Sequence, residues 1–379
     1  MRHILRNMAL AMVFTLSACS QSAEPGRVFT ITDYLDAAAA PADCADGINA
    51  CIEACAKAGG GRVTVPAGEY VSSTIHLKSN VEFHLEEGAV IKAIMDPEQY
   101  DSYIPEHDMS RYDSGDGTVN SNNSRDVRWN RALVLGVGLE NVKISGKGTI
   151  NGAHVFDPKG EEYMRGPHTV LLAECKNLSL KDFNITCAAN YAVMAYAIED
   201  AVFDSMHITE GWDGIHIRGG KNVVIQDCRM ETGDDALAGG YWENMCIKDC
   251  YCNSSCNGLR MIMPCDGLLV ENCRFEGPGH YPHRTSGEAR RCNMLFGISL
   301  EPGGWGAAPG DVKSVVIRNC SMQDLSSPVS VSISKDNHAY DLTIENLDAR
   351  GLTGTVSPTV CWNDCGFDCI TIRNCTVGK

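Results

Sequence analysis

A mark recurs along this chain about every 22 residues, and it constrains the fold more than any other feature. Lys181-Asp182-Phe183, Asp204-Ser205-Met206, Gln226-Asp227-Cys228, Lys248-Asp249-Cys250 and Glu271-Asn272-Cys273 hold one repeat position, with successive intervals of 22, 23, 22 and 23 residues from Asp182. Short apolar runs precede most marks: Leu178-Ser179-Leu180, Val223-Val224-Ile225, Met245-Cys246-Ile247 and Leu268-Leu269-Val270. Such runs, closed by polar turns, read as strands. A period near 22 with several β runs and no helix signal predicts an all-β chain, a single-stranded right-handed parallel β-helix. After Asn272 the next mark, Asn319, comes 47 residues on, so one coil there carries an insertion, Gly277 to Gly310, of roughly a coil's length. Asn346 and Asn374 follow at 27 and 28. From Gly47 to Ala58, Ile48, Cys51, Ile52 and Cys55 fall at helical spacing before a Gly59-Gly60-Gly61 stop. A helix there would cap the open end of the solenoid, whose edge would otherwise invite pairing. Pro97 to Trp129 is polar and aperiodic and reads as a long surface loop.

The first 19 residues read as a targeting segment. Arg2 and Arg6 precede an apolar run from Met8 to Leu16, too short for a permanent span. Leu16-Ser17-Ala18-Cys19 resembles a bacterial lipobox, which implies cleavage before Cys19 and acylation of its thiol. An ordinary secretory signal cleaved nearby is the competing reading. The expected layout is therefore a leader over 1–19 and one β-helix domain over 20–379, tethered to the cell envelope by lipid, at its periplasmic or outer-surface face, and not spanning it. The net charge of −16 becomes −18 once the leader's two arginines are gone. That excess of acid argues against nucleic acid and anionic lipid surfaces as partners. It also disfavours long polyanionic substrates unless local cations offset it. Nothing in the sequence sets an oligomeric state.

Of 19 cysteines, 18 remain after Cys19, and many share one repeat position: Cys228, Cys250, Cys273, Cys320 and Cys375. Thiols stacked at one internal position suit a buried ladder, since free Cys packs as a small hydrophobe. Disulfides remain open, and a metal site fits the pattern least. No metal-ligand spacing stands out, His216 and His280 being isolated, and no cofactor is expected.

The chemistry-bearing feature is a set of three acids. Asp213 lies in Gly211-Trp212-Asp213-Gly214, and Asp234 and Asp235 lie in Gly233-Asp234-Asp235-Ala236. Asp235 follows Asp213 by 22 residues, so on a solenoid the two stack on adjacent turns at about the 5 Å strand spacing. Carboxyls that close repel, and a site that needs one protonated and one ionised carboxyl exploits this. Asn190, Asp213, Asp235, Asn257 and His280 follow one another at 23, 22, 22 and 23 and are expected on one line.

Several segments resemble the polygalacturonases, glycoside hydrolase family 28. The similarity runs through Ala56-Lys57-Ala58-Gly59-Gly60-Gly61-Arg62-Val63-Thr64-Val65-Pro66-Ala67-Gly68, then Thr74 to Val81 and Leu85 to Ala89. Gly148-Thr149-Ile150-Asn151-Gly152 matches a further landmark, and Gly233-Asp234-Asp235-Ala236-Leu237-Ala238 the family's aspartate pair. The resemblance covers roughly Ala45 to Ser334. It implies that Asp213 and Asp235 jointly activate a water, that Asp234 protonates the glycosidic oxygen, and that the anomeric carbon inverts.

The chain also departs from that family. Where the family has Gly-His-Gly, this sequence reads Cys256-Asn257-Gly258, and where it has Arg-x-Lys, the sequence reads Ile298-Ser299-Leu300-Glu301. The usual uronate clamp is absent, so weak or no activity on polygalacturonate is expected. Arg260 is a substitute cation or a surface ion pair. His280 is a replacement for the lost histidine or an ordinary loop residue. Trp212 and Trp305 are sugar platforms or core residues. Asn190, Asn257, His283 and Glu301 complete the expected substrate-binding set, since loops on a rigid scaffold carry specificity. The leading reading is a secreted glycoside hydrolase acting on a polysaccharide or oligosaccharide. A polysaccharide lyase or epimerase on the same fold, or a glycan-binding protein without catalysis, compete with it.

Overall fold

The computed structural model describes residues 26–35, 43–115, 121–284, 290–334, 336–354, 359–362 and 370–379. The leader and Cys19 lie outside them. The described chain winds as a right-handed parallel β-helix. Its described strands collect into a 19-stranded and an 11-stranded sheet, in which every pairing is parallel, and a short antiparallel pair, Ser114–Gly115 with Ser121–Asn122. The long strands Val193–Asp204, Ile215–Gln226 and Leu237–Lys248 lie side by side through ten registered pairs for each of the first two neighbours.

The repeat mark has a conformational cause. Asp182, Ser205, Asp227, Asp249, Asn272, Asn319, Asn346 and Asn374 sit in the left-handed region, with φ between 52° and 70°. Asp and Asn tolerate that region better than other non-glycine residues. Ser205, and not Asp204, holds the position in the second coil, because Lys181 pairs with Asp204. The turn aims the next side chain inward, so Phe183, Met206, Cys228, Cys250, Cys273, Cys320 and Leu347 are all buried. The fifteen cysteines whose side chains are described are free thiols, and along the ladder the Sγ atoms of Cys228, Cys250, Cys273 and Cys320 donate to the backbone carbonyls of Phe203, Ile225, Ile247 and Val270 at 3.7–3.8 Å.

The capping helix spans Ala45–Lys57, two residues longer at its start than expected, and buries Ile48, Cys51, Ile52 and Cys55. Gly59 and Gly60 end it with φ of 95° and 100°, which a side chain would resist. Two expectations change. The segment from Pro97 to Trp129 is not merely a surface loop: Tyr103, Met109 and Trp129 are buried in a second apolar cluster with Tyr191, Tyr196 and Trp212. The insertion Gly277 to Gly310 is not separate from the scaffold either. Phe296–Leu300 within it is a regular strand that pairs with Asn257–Met261 on one side and Ser327–Ile333 on the other. One coil thus carries two loops, one on each side of that strand.

Candidate functional site

The three aspartates meet on the turns that enter the long strands. The amide of Ala192 donates to Asp213 O, that of Gly214 to Asp235 O and that of Ala236 to Asn257 O, each at 2.9 Å. Asn257 then pairs with Phe296. The line expected from spacing therefore runs Tyr191, Asp213, Asp235, Asn257, Phe296. Asn190 is one residue out of register, is buried and is not part of the cavity wall. His280 is also off the line, because the loop before Phe296–Leu300 shifts the count; its Nδ1 lies 2.6 Å from Glu231 Oε1 instead.

The carboxylate oxygens of Asp213, Asp234 and Asp235 come within 4.8 Å of one another. They form part of the wall of a cavity of about 380 Å³, shared with Arg165, Arg260 and His283 among others. Asp235 Oδ1 accepts from the Asn257 amide at 3.0 Å and from Asn257 Nδ2 at 2.7 Å. Asp213 Oδ2 lies 2.7 Å from His216 Nδ1, while its Oδ1 is buried with no protein partner. Asp234 Oδ1 is 3.5 Å from His283 Nε2, and its Oδ2 is 3.7 Å from Arg165.

These surroundings split the three proton affinities. Burial, then the charges of Asp234 and Asp235, push Asp213 well above the usual carboxylate range. Burial and the Asp234 charge likewise push Asp235 up, to about 6. Burial acts on Asp234 too, but the hydrogen bond and charge of His283, with Arg165 and Arg260, outweigh it and hold Asp234 well below that range. Asp213 therefore holds its proton most tightly, Asp235 holds one up to about pH 6, and Asp234 is ionised.

Arg260 lines the cavity. Its Nε bonds Glu301 Oε1, and Nη1 stands 3.9 Å from Asp235 Oδ2. Its guanidinium lies 5.0 Å from the Trp305 ring centroid, so Trp305 and Glu301 also reach the site, and one face of Trp305 is taken. Trp212 does not offer a sugar platform: it is 1% exposed, its Nε1 donates to Ala189 O, and Arg165 covers its ring at 3.8 Å. Sequence reasoning missed Arg165, Glu161, Arg218 and Tyr191, and set His216 aside as an isolated histidine. Arg165 and Glu161 come from a loop outside the repeat, where spacing carries no signal. His216 and Arg218 follow Asp213 by three and five residues on one strand, and that proximity was the only available clue.

Among the described residues, three groups bring possible metal-ligating atoms within 4.8 Å: the aspartates, Asp234–Cys256–His283, and His154–Cys187–Glu210. Arg165 and Arg260 act on the first two. In the third, Arg284 Nη1 is 2.8 Å from His154 Nδ1. A guanidinium already supplies positive charge at each, which opposes a cation there.

A parallel β-helix with a carboxylate cluster on one strand ladder defines a class of carbohydrate-active proteins, and the comparisons agree. The glycosyl hydrolases family 28 profile matches residues 55–259, and the chain belongs to that family. It is 25% identical over 224 residues to the polygalacturonase QRT2 of Arabidopsis thaliana, covering 55% of this chain and 48% of that protein. The chain thus spans about half the length of this curated relative. Among solved structures, the polygalacturonase of Erwinia carotovora superposes with a TM-score of 0.65 at 16% identity, over 93% of both chains. The surface adhesin PfbA of Streptococcus pneumoniae superposes with a TM-score of 0.61 at 15% identity, over 93% of this chain and 99% of that one. At those identities the likeness shows the fold alone.

Proposed function

We propose that the protein is a glycoside hydrolase that cleaves a polysaccharide at the Asp213–Asp234–Asp235 cluster. The observation that carries this is three carboxyls within 4.8 Å, two pushed up and one held down, facing a cavity. The cluster holds a proton for the leaving oxygen and an ionised carboxylate for the attacking water at the same pH. The family resemblance gives the acid role to Asp234, whereas the proton affinities favour Asp213 and Asp235 as the protonated carboxyls. On this reading the proton reaches the leaving oxygen from that pair or through it. Nearest oxygens within 4.8 Å are closer than the ~6.5–9.5 Å between carboxyls of ordinary inverting pairs, so inversion rests on the family resemblance.

The cavity wall carries six acids, Glu161, Glu162, Asp213, Asp234, Asp235 and Glu301, against Arg165, Arg260 and Arg291. Arg260 is tied to Glu301 and Arg165 to Glu162. This supports a sugar without a carboxylate at the cleavage point, and weak action on polygalacturonate. A digest of a glycan panel with mass analysis tests the reading. Products heavier by one water support hydrolysis; unsaturated products mean a lyase. Efficient release of galacturonic acid would sink the substrate preference and point to these arginines as a clamp.

A second reading, glycan binding without turnover, is favoured by the ionised state of Asp234. Binding with no product across the panel would select it. We also propose envelope delivery by the 1–19 leader with acylation at Cys19; Cys19→Ala should then release the protein from membranes into the soluble fraction.

A further inference from the structure

A buried cation stands behind the cluster, and among the described residues no carboxylate lies within 4.0 Å of its guanidinium. Arg218 is fully buried. Its Nη1 donates to Tyr112 O at 2.9 Å and Asn122 O at 3.2 Å, and its Nη2 to Asn122 Oδ1 at 3.0 Å. Its Nε donates to His216 Nε2 at 3.0 Å. A guanidinium can only donate, so His216 Nε2 must accept. The imidazole is then neutral and carries its proton on Nδ1, which lies 2.7 Å from Asp213 Oδ2. The Tyr191 ring stacks on the imidazole at 4.6 Å and holds its plane. Burial, then the Arg218 charge, holds His216 well below the usual histidine range. The other Asp213 oxygen, Oδ1, has no protein partner and is buried.

We propose that His216 and Arg218 are positioning residues for Asp213: the guanidinium locks the imidazole in its Nδ1–H form, the imidazole engages Oδ2, and Oδ1 is left as the oxygen that carries the carboxyl's proton. The arrangement follows the rule that a histidine's outer hydrogen bond sets its tautomer and its aim at the inner group. It also ties the loop bearing Tyr112 and Asn122 to the cluster, since the same guanidinium grips both. The catalytic meaning of Oδ1 rests on the hydrolase reading; the locked geometry does not.

The test needs no substrate, so its failure is separate from a failure of that reading. Two-bond proton–nitrogen spectra of the 15N-labelled protein report the tautomer of each histidine. One ring, assigned by its loss in His216→Asn, should stay neutral with its proton on Nδ1 from pH 5 to 8. An Nε2–H form or a charged ring in that range overturns the proposal. In Arg218→Met the same ring should change tautomer or begin to titrate; an unchanged signal overturns the role of Arg218. Asp213 is followed by 13C-carboxyl titration, assigned with Asp213→Asn. His216→Leu should raise its midpoint by about 1–2 pH units, the size of a lost hydrogen bond to a charged group. His216→Asn keeps an N–H near the same place and should hold the midpoint closer to wild type. Equal shifts in the two variants would mean that the imidazole only fills space. Should these variants not fold, the wild-type tautomer decides.

Discussion

Asp235 is stabilised as an acid where the unfolded chain would ionise it, and this has a sign. Its folded proton affinity is raised from 3.8 to about 6, so the folded state keeps a proton that the unfolded state loses. Stability therefore falls as pH rises through that window and stays reduced above it. A shift of that size corresponds to roughly 3 kcal/mol. Asp235→Asn cannot ionise, and its Oδ1 still accepts from Asn257. The variant should melt higher than wild type at pH 7.5, converge with it near pH 3.5, and lose most turnover; a melting point unchanged or lowered at pH 7.5 would refute the repulsion. The same affinities predict that kcat/KM declines as pH rises through about 6, where Asp235 loses its proton. Asp213, Asp234 and Asp235 were legible because two of them obey the repeat. Trp212 stayed open between sugar platform and core because spacing places a residue in a coil but does not say which side of the wall its ring takes. His280 was misread because loop residues were counted as though they belonged to the ladder.

At the scale of elements, the strand Phe296–Leu300 divides the insertion into parts with different duties. Ile298 and Leu300 are fully buried, so Ile298→Ala should cost about 2–5 kcal/mol. Trp305 and Glu301 line the cavity beyond the strand's end. Trp305→Ala, or replacement of residues 302–308 by a short turn, should weaken glycan binding severalfold with little loss of melting temperature. Equal thermal losses in Ile298→Ala and Trp305→Ala would show that the distal loop is structural. Deleting all of Gly277 to Gly310 is not a clean test of recognition, because it removes a strand paired on both sides. The strands, turns and capping helix could be read from sequence because period, Asx turns and apolar runs agree. The role of the 97–129 segment could not. Its buried Tyr103, Met109 and Trp129 are scattered without period, and they pack on residues more than sixty positions away, such as Tyr196.

The whole molecule is quasi-one-dimensional: each coil contacts its neighbours, and stability accumulates from coil-to-coil interfaces. In such an object an open end is a weak point, because it presents buried side chains and unpaired strand groups. Here the helix Ala45–Lys57 covers the first coils, and its Ile48 and Ile52 join the same core as Val63, Ile75 and Leu77. Fully burying one such isoleucine contributes about 1.5–3 kcal/mol, and burying a lone carboxylate in its place costs more. Ile52→Asp should therefore detach the helix before it unfolds the later coils. The aspartate site begins some 150 residues further along, so its tautomer and titration signals should survive. The exposed end should then drive concentration-dependent association, visible by light scattering, which Lys57→Asp on the helix's solvent face should not cause. A monomeric Ile52→Asp protein with unchanged melting would show that the helix is an ornament and that the first coil protects itself.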